Sequence, residues 1–350
     1  MIKYSFLLIT YNQERFVEEA FQSCISQTCG DYEIVISDDN STDATYAVLE
    51  RLVKNYRESG GEIPIILNKN ERNLGIGGNF QKAAELRRGQ WLLMAAGDDI
   101  SLSTRIETIE KVIKRHPEVY GINTARYFVD ERGETLEYSF KLGYLLGADS
   151  VWNRRVFSEF RPLDRRVMSE DHVLNLRALL LGGMIQVNTP TIKYRISSQN
   201  YSIHTAQNII DAKQVEIKKM VYHLNLLDFR KDDIEEWKEK GHDDDILNDV
   251  QRKIQRETED LLCQKESYTL FVETYKSGIV GKIKYLCSPS CIWLHSNILY
   301  RGYNLLKMYH LISEKPRRKV ESWDVVPCQD DKEYPITIHD FVGNDKFELF

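Results

Sequence analysis

Cysteine is sparse and unpaired in this sequence. Cys24, Cys29, Cys263, Cys287, Cys291 and Cys328 form no CxxC pair, which argues against a zinc knuckle or a dithiol redox motif. No uninterrupted apolar run reaches about 18 residues, so no membrane-spanning helix is expected. Met1 to Tyr4 runs directly into a strand pattern, and no secretory signal peptide is expected. The first strand is not followed by G-x-G-x-x-G. Thr10-Tyr11-Asn12-Gln13-Glu14 stands there instead, and the later Gly75-Ile76-Gly77-Gly78 lacks a third glycine. That argues against a dinucleotide-dependent oxidoreductase. Positive charge is not in excess either: the net charge is −6, unlike a general nucleic-acid binder. A reducing cytoplasm fits the cysteine usage. The sequons at Asn40 and Asn200 then carry no glycan.

The chain has 350 residues, 42% of them hydrophobic and 29% charged, enough for two domains or for one with a long appendage. Its most informative stretch runs from Gln90 to Ile100. An apolar run from Trp91 to Ala96 reads as an interior strand, and it stops at Gly97-Asp98-Asp99. Ligands of open α/β sheets bind beyond the carboxyl ends of the strands. Two adjacent aspartates there repel each other unless something separates them. A hard divalent ion carrying a diphosphate meets that need. A turn whose aspartates cap the next helix is the competing reading.

The pattern before this stretch repeats strand then helix. Tyr4 to Thr10, Glu33 to Ser37 and Ile63 to Leu67 read as strands. Asn12 is expected to cap a helix carrying Phe16, Val17, Ala20, Phe21, Cys24 and Ile25. Ser41, Thr42 or Asp43 is expected to cap the helix through Val48, Leu49, Leu52 and Val53. A loop from Asn70 to Gly78 and a short helix from Phe80 to Leu86 follow. Such units build a doubly wound, mostly parallel sheet. Right-handed crossovers then place Thr10-Tyr11-Asn12, Asp38-Asp39 and Asp98-Asp99 on one edge.

Beyond Asp99, Ser101 or Ser103 is expected to cap a helix carrying Ile106, Ile109, Val112 and Ile113. A strand hairpin follows over 119–138, turning at Asp130-Glu131-Arg132-Gly133. Leu145 to Phe160 holds Gly147-Ala148-Asp149-Ser150 and a short helix at Arg154 to Phe157. Glu170 and Asp171 open a helix that closes at Gly182-Gly183, with negative charge where the helix dipole favours it. Val187 to Ile196 reads as a last strand. The expected division is a catalytic domain over 1–205, a helical extension over 206–320 and an acidic tail over 321–350. Within the extension, 276–319 holds nine lysines and arginines against one acid, Glu314, with interleaved aromatics. Those residues suit an interfacial helix on a membrane surface, or a helix packed on the catalytic domain.

The motifs together resemble the family 2 glycosyltransferases over roughly residues 3–205. Leu8-Ile9-Thr10-Tyr11-Asn12 resembles that family's first strand and turn. Glu33 to Asp43, reading Glu-Ile-Val-Ile-Ser-Asp-Asp-Asn-Ser-Thr-Asp, is the most specific match. Asn73-Leu74-Gly75 resembles the next loop and Gly97-Asp98-Asp99 the metal-binding region. Arg154 to Phe157 with Glu170-Asp171 resembles the acceptor-side loop and ED motif.

The resemblance implies an α/β GT-A-type doubly wound mixed sheet with a helical C-terminal extension. It implies an inverting glycosyltransferase that moves a sugar from a nucleotide-diphospho-sugar, UDP-linked, to a glycan or lipid-linked acceptor hydroxyl. The expected setting is cell-surface polysaccharide synthesis, at the inner face of the cell membrane. Thr10 and Tyr11 would line the base, Asp39 would accept the uracil N3–H, and Asp38 would shape that loop. Asn12, Asn73, Gly75 and Asp98 belong to the same implied nucleotide site. Asp98 and Asp99 would hold the ribose and a Mn²⁺ or Mg²⁺. Asp171 would be the general base, with Glu170 beside it.

Two departures from the family pattern stand out. Ala96 and Gly97 replace the first acid of a full DxD, and Ser197-Ser198 follows Tyr194-Arg195 where relatives carry a metal-shell histidine. His204 is the candidate substitute. A catalytically impaired relative that only binds sugar nucleotide or a partner enzyme is the alternative these departures leave open.

Overall fold

The computed structural model describes residues 2–196, 209–242, 245–274 and 332–343. His204 and the basic stretch 276–319 lie outside them, as does most of the acidic tail. The early strands are β1 (Tyr4–Thr10), β2 (Tyr32–Asp38), β3 (Ile65–Lys69), β4 (Trp91–Ala96) and the two-residue β5 (Ile100–Ser101). The later ones are β6 (Gly121–Val129), β7 (Thr135–Ser139), β8 (Ser150–Asn153), β9 (Met184–Arg195) and β10 (Glu333–Ile336). They form one sheet of path order β10-β9-β6-β8-β4-β1-β2-β3, with β5 paired to β9 and β7 to β6. β1 pairs parallel with both β2 and β4, and β2 with β3. β8 runs antiparallel between β4 and β6, which makes the sheet mixed.

Both faces are covered. Helices α1 (Val17–Ile25), α2 (Thr45–Glu58) and α4 (Arg105–Arg115) share one core with Phe6, Leu8, Ile34, Ile36 and Leu93. On the other face Phe80 of α3 (Gly75–Leu86) meets Trp152 of β8 edge-on and stacks on Phe157 of α5 (Arg155–Ser158). Strands covered on both faces carry unbroken apolar runs, which is why β1, β2 and β4 were readable as strands. Helix α6 (Glu170–Leu181) is buried nearly all round.

The two long helices α7 (Ile209–Glu239) and α8 (Asp245–Thr274) are each divided between two compact units. The break falls at Lys231/Asp232 in α7 and at Val250/Gln251 in α8. The later turns of α7, the start of α8, β10 and α9 (Ile338–Gly343) belong with the sheet. A buried bidentate ion pair explains part of this: Arg177 of α6 donates through Nε and Nη2 to Asp233 at 2.7 and 2.9 Å. Removing one partner of such a pair is strongly destabilising, because it strands the other charge.

Several local expectations are corrected. Asn12 does not cap α1, which starts at Val17. It has φ of 53°, and its Oδ1 accepts the Thr42 N–H at 2.8 Å. Neither Ser101 nor Ser103 caps α4; Gln27 Oε1 accepts the Ile106 N–H instead. The third strand begins at Ile65, not Ile63, since Pro64 has no N–H for the ladder. Residues 75–78 are not loop but the first turn of α3. Gly77 packs so close to Val167 that a Cβ would lie 2.6 Å from its carbonyl oxygen.

Candidate active site

The three polar turns meet at one sheet edge. Asp39 N–H donates to Thr10 O at 2.9 Å and Gly97 N–H to Ile9 O at 3.0 Å. Asp38 is fully buried, and its carboxylate accepts Thr10 Oγ1–H at 3.0 Å and the Ser41 N–H at 2.9 Å. Tyr11 is 46% exposed beside this cluster, a bare aromatic face at the rim.

Asp39 braces the start of α3. Its Oδ1 accepts the Leu74 N–H at 2.7 Å and Asn70 Nδ2–H at 3.0 Å, and its Oδ2 accepts the Gly75 N–H at 2.9 Å. Helix α3 has no side-chain cap of its own, so Asp39 caps it from the turn that follows β2. Gly75 has φ of 76°, which glycine adopts without strain. Asn73 is exposed and accepts the same Gly75 N–H at 3.1 Å. Thr10, Tyr11, Asn12, Asp38, Asp39, Asn73 and Gly75 therefore share one connected corner.

Asp98 and Asp99 follow β4 on the same edge. Asp99 is buried and its Oδ1 accepts the Arg195 N–H at 2.8 Å; Arg195 Nε donates to Asp98 O at 2.8 Å. The same guanidinium donates to Asp130 O, Glu131 O and Glu19, so the Tyr194-Arg195 end of β9 locks this loop. Burial pushes the Asp98 carboxyl up. Burial, and then the Asp98 charge, push Asp99 well above the usual carboxylate range. A cation beside the pair would reverse that logic. The pair thus fits a hard divalent ion. Among the described residues no third His, Cys, Asp or Glu completes a cage. An ion here would draw its remaining oxygens from water and ligand phosphates, as Mg²⁺ sites commonly do.

Glu170 and Asp171 lie at the start of α6. Asp171 Oδ2 accepts the Gly147 N–H at 2.8 Å, and its Oδ1 accepts the His172 N–H at 2.9 Å. Glu170 is buried, and burial with the neighbouring Asp171 charge raises its carboxyl to about 8. Gly147 permits this approach: a Cβ there would lie 2.7 Å from Glu170 Oε1.

Arg105, which sequence reasoning did not single out, ties β4 to the turn at Ala148. It is fully buried, and Nη1 donates to Met94 O at 2.8 Å and Ser101 Oγ at 3.0 Å. Its Nη2 donates to Ala148 O at 3.1 Å, in the turn that meets Asp171. Burial lowers its guanidinium to about 10 against the opposing pull of Asp149, Cys24 and Asp99. One signal was available: a cation at the first helical residue opposes the helix dipole and needs an acidic partner. Asp149 is the other residue missed. It is buried, accepts Asn123 Nδ2–H at 2.6 Å and pairs with Arg126 Nε at 2.6 Å, and burial raises it to about 6.

Known proteins agree with this architecture. The sequence model described as glycosyl transferase family 2 matches residues 5–168. An uncharacterised glycosyltransferase of Methanocaldococcus jannaschii is 32% identical over 212 residues, 56% of this chain and 71% of that protein. A GalNAc(5)-diNAcBac-PP-undecaprenol beta-1,3-glucosyltransferase of Campylobacter jejuni is 31% identical over 122 residues, 35% of this chain and 38% of its own length. The crystal structure of S. aureus TarS 1–349 with UDP-GlcNAc superposes with a TM-score of 0.52 at 14% identity, covering 88% of this chain and 92% of that one. At that identity the likeness establishes the fold, which is GT-A. The sheet edge with its ordered motifs, and a relative matched over most of its length, lead to one conclusion: this chain is a glycosyltransferase and belongs to glycosyltransferase family 2.

Proposed function

We propose that the chain transfers a sugar from a UDP-sugar to a hydroxyl of a glycan or lipid-linked acceptor, with inversion, in polysaccharide synthesis. The observation that carries this reading is the bracing of the two carboxylate-bearing segments against each other. Arg105 ties the Asp98-Asp99 strand to the turn at Ala148, and that turn's Gly147 N–H fixes Asp171. A donor diphosphate at one pair would present its anomeric carbon toward the other. Asp171 takes the acceptor hydroxyl proton as the oxygen bonds to the anomeric carbon. The bond from that carbon to the diphosphate breaks in the same step, and its electron pair leaves with the diphosphate. A bound Mn²⁺ or Mg²⁺ supplies Lewis-acid stabilisation of the leaving group.

UDP is favoured by the TarS fold, solved with UDP-GlcNAc, and by the exposed Tyr11 face beside Asp39. The Campylobacter jejuni relative, named for an undecaprenol-linked acceptor, supports a lipid-linked acceptor here. Such an acceptor would bring the enzyme to the inner face of the membrane. Among the described residues no helix is long and apolar enough to cross one. The missing first acid at Ala96-Gly97 favours the second reading, a relative that binds sugar nucleotide without turnover.

A panel of UDP-sugars with Mn²⁺ separates the readings. The matching donor should raise Tm by mass action and be hydrolysed slowly to UDP. EDTA and Asp98→Asn should each abolish the hydrolysis. Stabilisation without any hydrolysis would select the binding-only relative, and hydrolysis undiminished in EDTA would remove the metal from the reading.

A further inference from the structure

Four buried arginines surround the catalytic edge or the helix that carries Asp171, and one differs from the rest. Arg105, Arg177 and Arg195 each donate from both Nη atoms to acceptors of the protein. Arg126 of β6 is 1% exposed, yet its Nη1 and Nη2 have no hydrogen-bond partner among the described residues. Its Nε lies 2.6 Å from Asp149 Oδ2, an ion pair without hydrogen-bond alignment. Asp149 Oδ1 is committed to Asn123. The outer edge of the guanidinium, with both Nη groups, is therefore unused.

Arginine stays charged in proteins, so this edge cannot be silenced by losing a proton. Leaving its donors unmet in a buried site is costly. The planar fork of two parallel N–H groups matches a carboxylate or a phosphate. The location matters as much as the chemistry. The guanidinium carbon lies 5.4 Å from the ring centroid of Tyr144, a half-buried residue in the segment leading to Gly147. Tyr144 lies within electrostatic range of Arg126, Asp149 and Asp171. The ring thus lies near both Arg126 and the proposed base.

We infer that Arg126 is a specificity-determining residue that binds an anionic group, phosphate or carboxylate, carried by the acceptor next to the hydroxyl that Asp171 deprotonates. This rests on the acceptor-side reading of Asp171. Asp149 holds the Nε edge and orients the fork, and the Tyr144 ring lies beside the guanidinium. Acidic acceptors would then be preferred over neutral ones of the same shape.

Glycerol 3-phosphate against glycerol, and glucuronate against glucose, are the probes. Their binding is measured by saturation-transfer NMR on the full chain with Mn²⁺, with and without saturating UDP. The wild type should bind one acidic probe about tenfold or more tightly than its neutral counterpart, the worth of a charge-assisted hydrogen bond, with UDP bound alongside. Which acid binds tells phosphate from carboxylate. Arg126→Lys keeps a point charge without the fork and should lose most of that preference. The double variant Arg126→Gln with Asp149→Asn strands no buried charge, and it should lose all of it. UDP affinity should stay within about twofold in both variants, since a lost nucleotide contact would cost more. Equal binding of acidic and neutral probes by the wild type overturns the inference, as does a preference that survives the double variant. Displacement of the acidic probe by UDP would also overturn it, assigning the fork to the donor diphosphate. Failure of UDP itself to bind would count against the nucleotide reading, while the acid-to-neutral comparison without UDP still tests Arg126.

Discussion

Asp39→Asn separates the bracing role that the structure shows for this carboxylate from the base-recognising role proposed for it. The Asp39 oxygens accept three intramolecular donors, from Leu74, Gly75 and Asn70. A carboxylate offers about four lone-pair sites, so about one is left for the N–H of a base. The amide keeps one oxygen for Leu74 and Asn70 but turns an NH₂ toward the Gly75 N–H. The lost charge-assisted bond costs about 1.5–3 kcal/mol. Loss of negative charge at the α3 N-terminus adds about 0.3–1 kcal/mol. The sum is about 2–4 kcal/mol, and at roughly 2–4 °C per kcal/mol Tm should fall by about 4–16 °C. UDP affinity should fall about tenfold or more, because the base N–H meets a poorer acceptor. Calorimetric melting and a UDP titration on one preparation test both parts. Asn70→Ala is the control, since it removes one brace but no group facing the base. An unchanged Tm would refute the capping argument. A lowered Tm with wild-type UDP affinity would leave Asp39 as a brace alone.

Two further substitutions test the acceptor side. Asp171→Asn still accepts the Gly147 N–H but cannot take a proton, so transfer should fall by about 10²–10⁴-fold with donor affinity near normal. Single-turnover transfer and donor titration check this, and unimpaired transfer would pass the role of base to Glu170. Glu170→Gln tests the buried proton. The native carboxyl holds its proton up to about 8, against an ordinary value of 4.5. The folded chain therefore binds more protons than the unfolded chain between those values, and this group's stabilising contribution is lost as pH rises through the window. Urea melts at pH 5, 7 and 8.5 should show a smaller decline in the Gln variant; identical slopes would show that Glu170 is ionised throughout.

Much of the fold was legible because its strands are buried on both faces and spell themselves as apolar runs, as Trp91 to Ala96 does. The polar ends of those strands were legible for the same reason, since crossovers of one hand place them together. What escaped depends on partners remote in sequence. β8 is only four residues, Ser150 to Asn153, and it is a strand because β4 and β6 flank it. The glycines at 75, 77 and 78 read as loop because helix propensity counts against them. Asp39 caps them into a helix from 36 residues away along the chain. That same contact was invisible when Asp39 was read as facing the base alone. The buried arginines look like surface residues in a one-dimensional reading, as charged side chains are almost never fully buried unless paired.

Those arginines bear on which carboxylate can act as base. Arg105 and Arg195 brace the Asp98-Asp99 loop, and Arg126 pairs with Asp149. No arginine or lysine pairs with Glu170 among the described residues, and burial keeps its proton in place near neutral pH. A protonated carboxyl donates a hydrogen bond and cannot accept the acceptor's proton. Asp171, one residue on, is held differently: its Oδ2 accepts a backbone N–H from Gly147 and its Oδ1 the N–H of His172. Adjacent carboxyl groups in unlike surroundings can divide the work, one as proton acceptor and one as neutral donor, and the proposed reaction uses the pair in that way. In the proposed reaction Asp171 is therefore the base, and Glu170 is the neutral neighbour that adds no second charge to repel an anionic acceptor.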